Sequence, residues 1–94
     1  MKIEGCIWYR KVIDKILRKH HVTREEVEDV FAKTPKFTFL EKGRIKNEHL
    51  YSARGQTSAG RYLTVLFIYK KTKEALIITA RDMDARERRN YGKK

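Results

Sequence analysis

The sequence predicts an α+β domain: two helices, then an antiparallel meander of strands, then a short closing helix. Three observations lead there. An apolar stripe at helical spacing runs from Arg10 to His20, and a capping box opens a second helix at Thr23. From Lys36 onward the apolar residues shift to strand spacing, with glycine-containing turns between the runs. Residues 1–94 read as a single domain, because no repeat, low-complexity segment or Pro/Gly linker interrupts them. The length is near the lower end of what builds its own core.

Residues 2–8 alternate and are β-prone, a first strand. In the first helix Val12, Ile13, Ile16 and Leu17 form the stripe, while Arg10, Lys11, Lys15, Arg18 and Lys19 make the polar side basic. In the second, the side chains of Thr23 and Glu26 each satisfy the other's free backbone N–H, and Val22 and Val27 add a hydrophobic staple. Val27, Val30 and Phe31 are its buried stripe, and Thr34-Pro35 stops it. Glu25, Glu26, Glu28 and Asp29 make this helix the one acidic patch, a surface that RNA should avoid. Lys36–Glu41 carries Phe37 and Phe39 on one face, and after a turn at Gly43 comes a strand over Glu48–Arg54. Residues 55–60 are a turn with glycine at both ends. Arg61–Tyr69 is apolar on both faces, as a central strand covered on both sides would be. Lys70–Lys73 turns the chain and Glu74–Ala80 returns. Asp84, with Glu87 three residues on, caps a basic helix over Ala85–Tyr91.

Charge is the strongest compositional signal. Lys and Arg number 23 against 12 acids, a net charge of +11. Such a surplus favours a polyanionic partner, with nucleic acid ahead of an anionic membrane. No apolar run approaches transmembrane length and no signal-peptide core is present, so no membrane association and a cytoplasmic location are expected. The single cysteine, Cys6, excludes an internal disulfide and suits a reducing compartment. Flanked by Ile3, Ile7 and Trp8, it reads as a small buried hydrophobe. Three histidines without zinc-ligand spacing, and no cysteine pair, give no metal signature; no cofactor is expected.

Cleaving RNA without a metal needs a base for the 2′-OH, an acid for the leaving 5′-oxygen, and cations for the phosphorane charge. His20 ends the basic helix beside Lys19, where neighbouring cations favour the neutral imidazole a general base requires; it reads equally as a helix C-terminal residue. His21 reads as a cap or solvent-facing residue, and His49 as a strand-surface residue. Arg61 opens the central strand and Arg81 ends the next, so an antiparallel pairing brings them to one end of the sheet as a phosphate clamp, with Arg54 able to join. Glu48 reads as a carboxylate base or as a cross-strand ion-pair partner. Tyr91 reads as a base-stacking ring or as packing. Arg86, Arg88 and Arg89 read as sequence-independent backbone contacts. The rival to a nuclease is a non-catalytic module that only binds nucleic acid.

The ordered set Trp8…Lys19-His20, Val22-Thr23-x-Glu25-Glu26…Val30-Phe31, Thr57-x-x-Gly60-Arg61-x-Leu63-x-Val65 and Ile77-Ile78-Thr79-Ala80-Arg81…Glu87-Arg88-x-x-Tyr91 resembles the BrnT-type toxins. These are the ribonuclease halves of type II toxin–antitoxin pairs. The resemblance implies a RelE-like fold, a small antiparallel sheet flanked by two N-terminal helices and one C-terminal helix. It implies metal-independent cleavage of an RNA substrate that inhibits translation. It also implies a BrnA-type antitoxin with a ribbon-helix-helix domain, through which alone DNA is contacted. By motif, functional roles carry over to Lys19, His20, Glu48, Arg61, Arg81 and Tyr91. The chain departs from the family pattern at Tyr9 (usually Asp), at Val12 and Ile16 (Lys and Asn) and at His21 (Gly).

Overall fold

A computed structural model describes residues 1–92. The chain runs β1 (Gly5–Ile7), α1 (Arg10–His20), α2 (Arg24–Ala32), β2 (Lys36–Glu41), β3 (Leu50–Gln56), β4 (Tyr62–Tyr69), β5 (Glu74–Asp82) and α3 (Ala85–Tyr91). The strands form one sheet in the order β1-β5-β4-β3-β2. The α+β class is as the sequence predicts. The sheet, however, is mixed: β2 to β5 are antiparallel neighbours, whereas β1 pairs parallel to β5 through Gly5↔Glu74, Cys6↔Ala75 and Ile7↔Leu76. The meander leaves the outer edge of β5 open, and the short first strand fills its near end. A three-residue strand carries no sequence signal of its direction.

Strand alternation gives the sheet two different faces. On one, Ala53, Leu63, Val65, Phe67, Ile77 and Ala80 meet Ile16 of α1 and Val27 and Val30 of α2, all fully buried. Phe67 lies at the centre, edge-on to Phe31 at 5.3 Å and Phe37 at 6.0 Å. The other face carries Tyr62, Thr64 and Leu66 of β4; the loop after β2 borders Ile68 and Leu76 at one end, and α3 covers the other. There Thr64 is buried, while Tyr62, Leu66 and Ile68 remain half-exposed. β4 is therefore apolar on both sides, but only one side is fully covered. That corrects the expectation drawn from its composition.

Both predicted capping boxes form. Thr23 and Glu26 exchange bonds of 3.1 and 2.9 Å at the start of α2, and Asp84 and Glu87 exchange bonds of 2.8 and 3.0 Å at the start of α3. α1 ends differently: His21 takes the left-handed conformation, φ 54°, and the Val22 amide donates to the Ile16 carbonyl. A glycine would hold that position without strain. Ile16, at a polar position of the family pattern, is core. Leu17, expected in the buried stripe, is exposed.

Candidate active site

The register of the meander lines up one row of side chains across the open face: Lys36 opposite Arg54, Arg54 opposite Thr64, Thr64 opposite Arg81. α3 lays Glu87 over the middle of this row. Arg81 donates from Nη1 to Oε1 at 2.6 Å and from Nη2 to Oε2 at 3.0 Å. Arg54 donates from Nη2 to Oε2 at 3.4 Å, and the Thr64 hydroxyl donates to Oε1 at 3.1 Å. The same carboxylate closes the α3 capping box, so one residue both starts the helix and docks it. Two guanidiniums from strands on either side of β4 thus converge on one buried anion, the arrangement that also receives a phosphate. The Arg54 Nε is buried without a partner among the described residues.

The Arg81 guanidinium holds the Glu87 carboxyl at about 2, well below its ordinary 4.5. Because the folded value is depressed, the stabilisation is complete above pH 4.5 and is lost as the pH falls through about 2. A Glu87→Gln variant, which keeps the capping box, is therefore expected to show a flatter fall of Tm with acid in that window. Thermal melts of both proteins across it are the check.

Aromatic rings flank the row. The Arg88 guanidinium lies 4.0 Å from the centroid of Tyr62, and Tyr91 meets Tyr62 edge-on at 6.0 Å. Lys36 lies with its ammonium 5.0 Å from the Tyr91 centroid and donates to the Tyr91 carbonyl at 2.6 Å. Arg89 is exposed on α3. Lys36, Thr64 and Glu87 are members of this site that sequence reasoning did not single out. Their common signal is strand parity together with the turn register, which the sequence gives for the β4–β5 hairpin but not across the loop between β2 and β3.

Arg61 does not join this cluster, contrary to expectation. It reaches the same end of the sheet as Arg81 but the opposite face, because Leu63 and Asp82 are paired on the helix-covered side whereas Thr64 and Arg81 are paired on the open side. Its guanidinium is occupied by protein. Nε and Nη2 donate to Asp82 at 2.7 and 3.1 Å, Nη1 to Glu26 at 3.2 Å and to the His21 carbonyl at 2.5 Å, and Nη2 to the His20 carbonyl at 2.8 Å. Arg61 therefore ties the end of α1 to the start of α2 and to β5. The guanidinium, chiefly through its bonds to Asp82, depresses that carboxyl.

Glu48 lies at the far end. Its carboxylate accepts from Lys70 Nζ at 2.7 Å and from the Lys71 amide at 3.3 Å, and the Lys70 bond holds it below its ordinary value. From Thr64 to Lys70 is about 20 Å of strand. Glu48 and Arg81 thus serve different ends of the sheet, and the ion-pair alternative for Glu48 is the one the geometry realises. His20 is half-buried at the close of α1, on the helix-covered side where Arg61 holds its carbonyl, and Lys19 beside it is exposed. His49 accepts from the Gly43 amide at 3.0 Å through Nδ1 and packs on Phe39, a structural role. Burial pushes the half-buried Cys6 thiol up to about 11, which keeps it protonated at neutral pH. Among the described residues no three His, Cys, Asp or Glu side chains group as metal ligands, and no helix is long and apolar enough to cross a membrane.

A family model described as the ribonuclease toxin, BrnT, of type II toxin–antitoxin systems matches residues 8–87. The chain belongs to the BrnT family. The match runs from Trp8 to Glu87 and so takes in both helices of the covered face, the whole meander and the carboxylate that bridges Arg54 and Arg81. A BrnT-family toxin implies an RNA substrate and a cognate antitoxin. No curated protein matches the sequence significantly.

Proposed function

We propose that this BrnT-family chain is a cytoplasmic endoribonuclease that cuts RNA without a metal ion and so inhibits translation, and that a BrnA-type ribbon-helix-helix antitoxin restrains it. The observation that carries the reading is the convergence of Arg54 and Arg81 on one anion at the open face. In the reaction, the 2′-OH attacks the adjacent phosphorus after losing its proton to a base. The guanidiniums stabilise the phosphorane, and the 5′-oxygen leaves with a proton supplied by an acid. The products are a 2′,3′-cyclic phosphate and a 5′-hydroxyl. His20, which reaches the same end of the sheet from the helix-covered side and faces the clamp across the edge of β5, is the candidate proton carrier, with Lys19 to orient the phosphate and Arg88, Arg89 and Tyr91 to hold the flanking strand. Glu87 occupies the phosphate position in the free protein, so RNA has to displace it.

A second reading, a module that binds RNA without cutting it, is favoured by one observation. Among the described residues no imidazole is bonded to either guanidinium. Incubation with end-labelled RNA in EDTA separates the two. The nuclease yields fragments ending in cyclic phosphate, which His20→Ala and Arg81→Ala abolish. Intact RNA that remains bound, with an affinity falling steeply in salt, selects the binding module.

A further inference from the structure

Next to Gln56, two residues along β3 from Arg54, lies a cleft of about 560 Å³ between the end of α2, the turn from β3 to β4 and Tyr91 of α3. Its size is within the roughly 300–1,000 Å³ of small-ligand sites. Its walls mix polar groups, Lys33, Thr34, Gln56 and Ser58, with the apolar Val30 and Pro35. Asp29, the acid at this rim, is tied to the Ser58 amide at 2.7 Å and to Lys33 at 3.1 Å, so its charge is matched locally.

Three features of the wall belong together. β2 ends its pairing at Lys36 opposite Arg54, whereas β3 continues to Gln56, so the Gln56 backbone N–H and C=O face outward without a β2 partner, while those of Gly55 turn toward Leu63 of β4. That edge is one backbone donor and one acceptor open to an incoming group. Gln56 donates from Nε2 to the Gly60 carbonyl at 3.2 Å, which fixes its amide and leaves Oε1 as an acceptor. Tyr91 supplies an aromatic wall, and its neighbour Lys36 belongs to the cation row. The floor is closed by Gly55, where a Cβ would come within 3.0 Å of Val30 Cγ1.

We infer that this cleft is a nucleoside subsite, taking one unpaired RNA base whose phosphate lies on Arg54 and Arg81. The identity of the polymer rests on the ribonuclease reading; the cleft's chemistry does not. Arg54 and Gln56 are alternate residues on one side of β3, about 7 Å apart, the span between phosphate and base within one nucleotide. A polar amide and an open backbone edge read a base through its hydrogen-bonding edge, and a ring stacks on its face. Both require a base that is unpaired and turned out of its stack. The substrate class is therefore single-stranded RNA.

The test is binding of 5′-mononucleotides and of ribose 5-phosphate to the full chain, followed by NMR or calorimetry. Mononucleotides are expected to bind about tenfold tighter than ribose 5-phosphate, the scale of one base stacked on an aromatic ring. Gln56→Ala should reduce that preference while leaving ribose 5-phosphate affinity unchanged, and Tyr91→Leu should lower mononucleotide affinity by more than it lowers ribose 5-phosphate affinity. Equal or absent binding of the two ligand types by the wild type, or a preference that survives both substitutions, overturns the subsite. Nucleotide preference without RNA cleavage retains the subsite and removes the nuclease. Cleavage whose rate and cut positions are the same in both variants does the reverse.

Discussion

Arg81→Ala is expected to lower RNA cleavage by at least about 100-fold, the usual loss when one preorganised donor to a developing oxyanion is removed. The substitution also strands Glu87, which is buried and keeps only the longer 3.4 Å bond from Arg54 as its ion pair. A loss of activity alone would therefore mix two causes, a missing phosphate clamp and a loosened α3. The double variant Arg81→Ala/Glu87→Gln, which removes the stranded charge and keeps the capping box, separates them. Removing both charges of a buried pair costs less than removing one, so its Tm should exceed that of Arg81→Ala. Its cleavage should stay at the level of the single variant. Recovery of cleavage in the double variant would mean that Arg81 matters only by holding Glu87, and the phosphate role would be lost. Arg81→Lys should recover little, because an ammonium cannot reproduce the paired bonds at 2.6 and 3.0 Å.

Local signals proved legible in the sequence, and relations across faces did not. The capping boxes at Thr23 and Asp84 were readable because cap and partner lie three residues apart and the chemistry is fixed by that spacing. The core stripe of α2 followed from the same local periodicity, and the β4–β5 hairpin brought the starts and ends of its strands together as antiparallel geometry requires. The face on which each arginine lands depends on parity. Arg61 and Thr64 differ by an odd number of residues, so their side chains point to opposite faces, and the β-bulge between Leu66 and Phe67 shifts the partner strand again. Lys36 could be aligned with Arg54 only by knowing how the loop over residues 42–49 closes, and nothing local fixes that. Glu87 was read as a cap because that role is local. Its second role, the anion between two guanidiniums, exists only after β3, β4 and β5 have paired. The motif from Gly60 to Tyr91 does not distinguish Arg61, which joins elements, from Arg81, which faces the open surface.

That distinction is open to measurement. Arg61→Ala is expected to cost about 2–4 kcal/mol, a range set by several hydrogen bonds involving charged or end-of-helix acceptors at a partly buried site. For a chain of this length that corresponds to a fall in Tm of about 10–25 °C. The Asp82 contact contributes the smaller share, since Asp82 is 61% exposed and water screens the pair. The larger share comes from the carbonyls of His20 and His21, which end α1 and lose a charged donor, and from Glu26, whose capping box starts α2. Arg61→Lys should restore only part of the loss, because three donors on a flexible stem cannot span acceptors on α1, α2 and β5 together. Well below its lowered Tm, Arg61→Ala should still bind RNA, since the residue faces away from the Arg54–Arg81 row. An unchanged Tm would remove Arg61 as the tie between helices and sheet. Lost RNA binding in a protein still folded by circular dichroism would instead return Arg61 to the substrate surface and extend that surface around the end of β5.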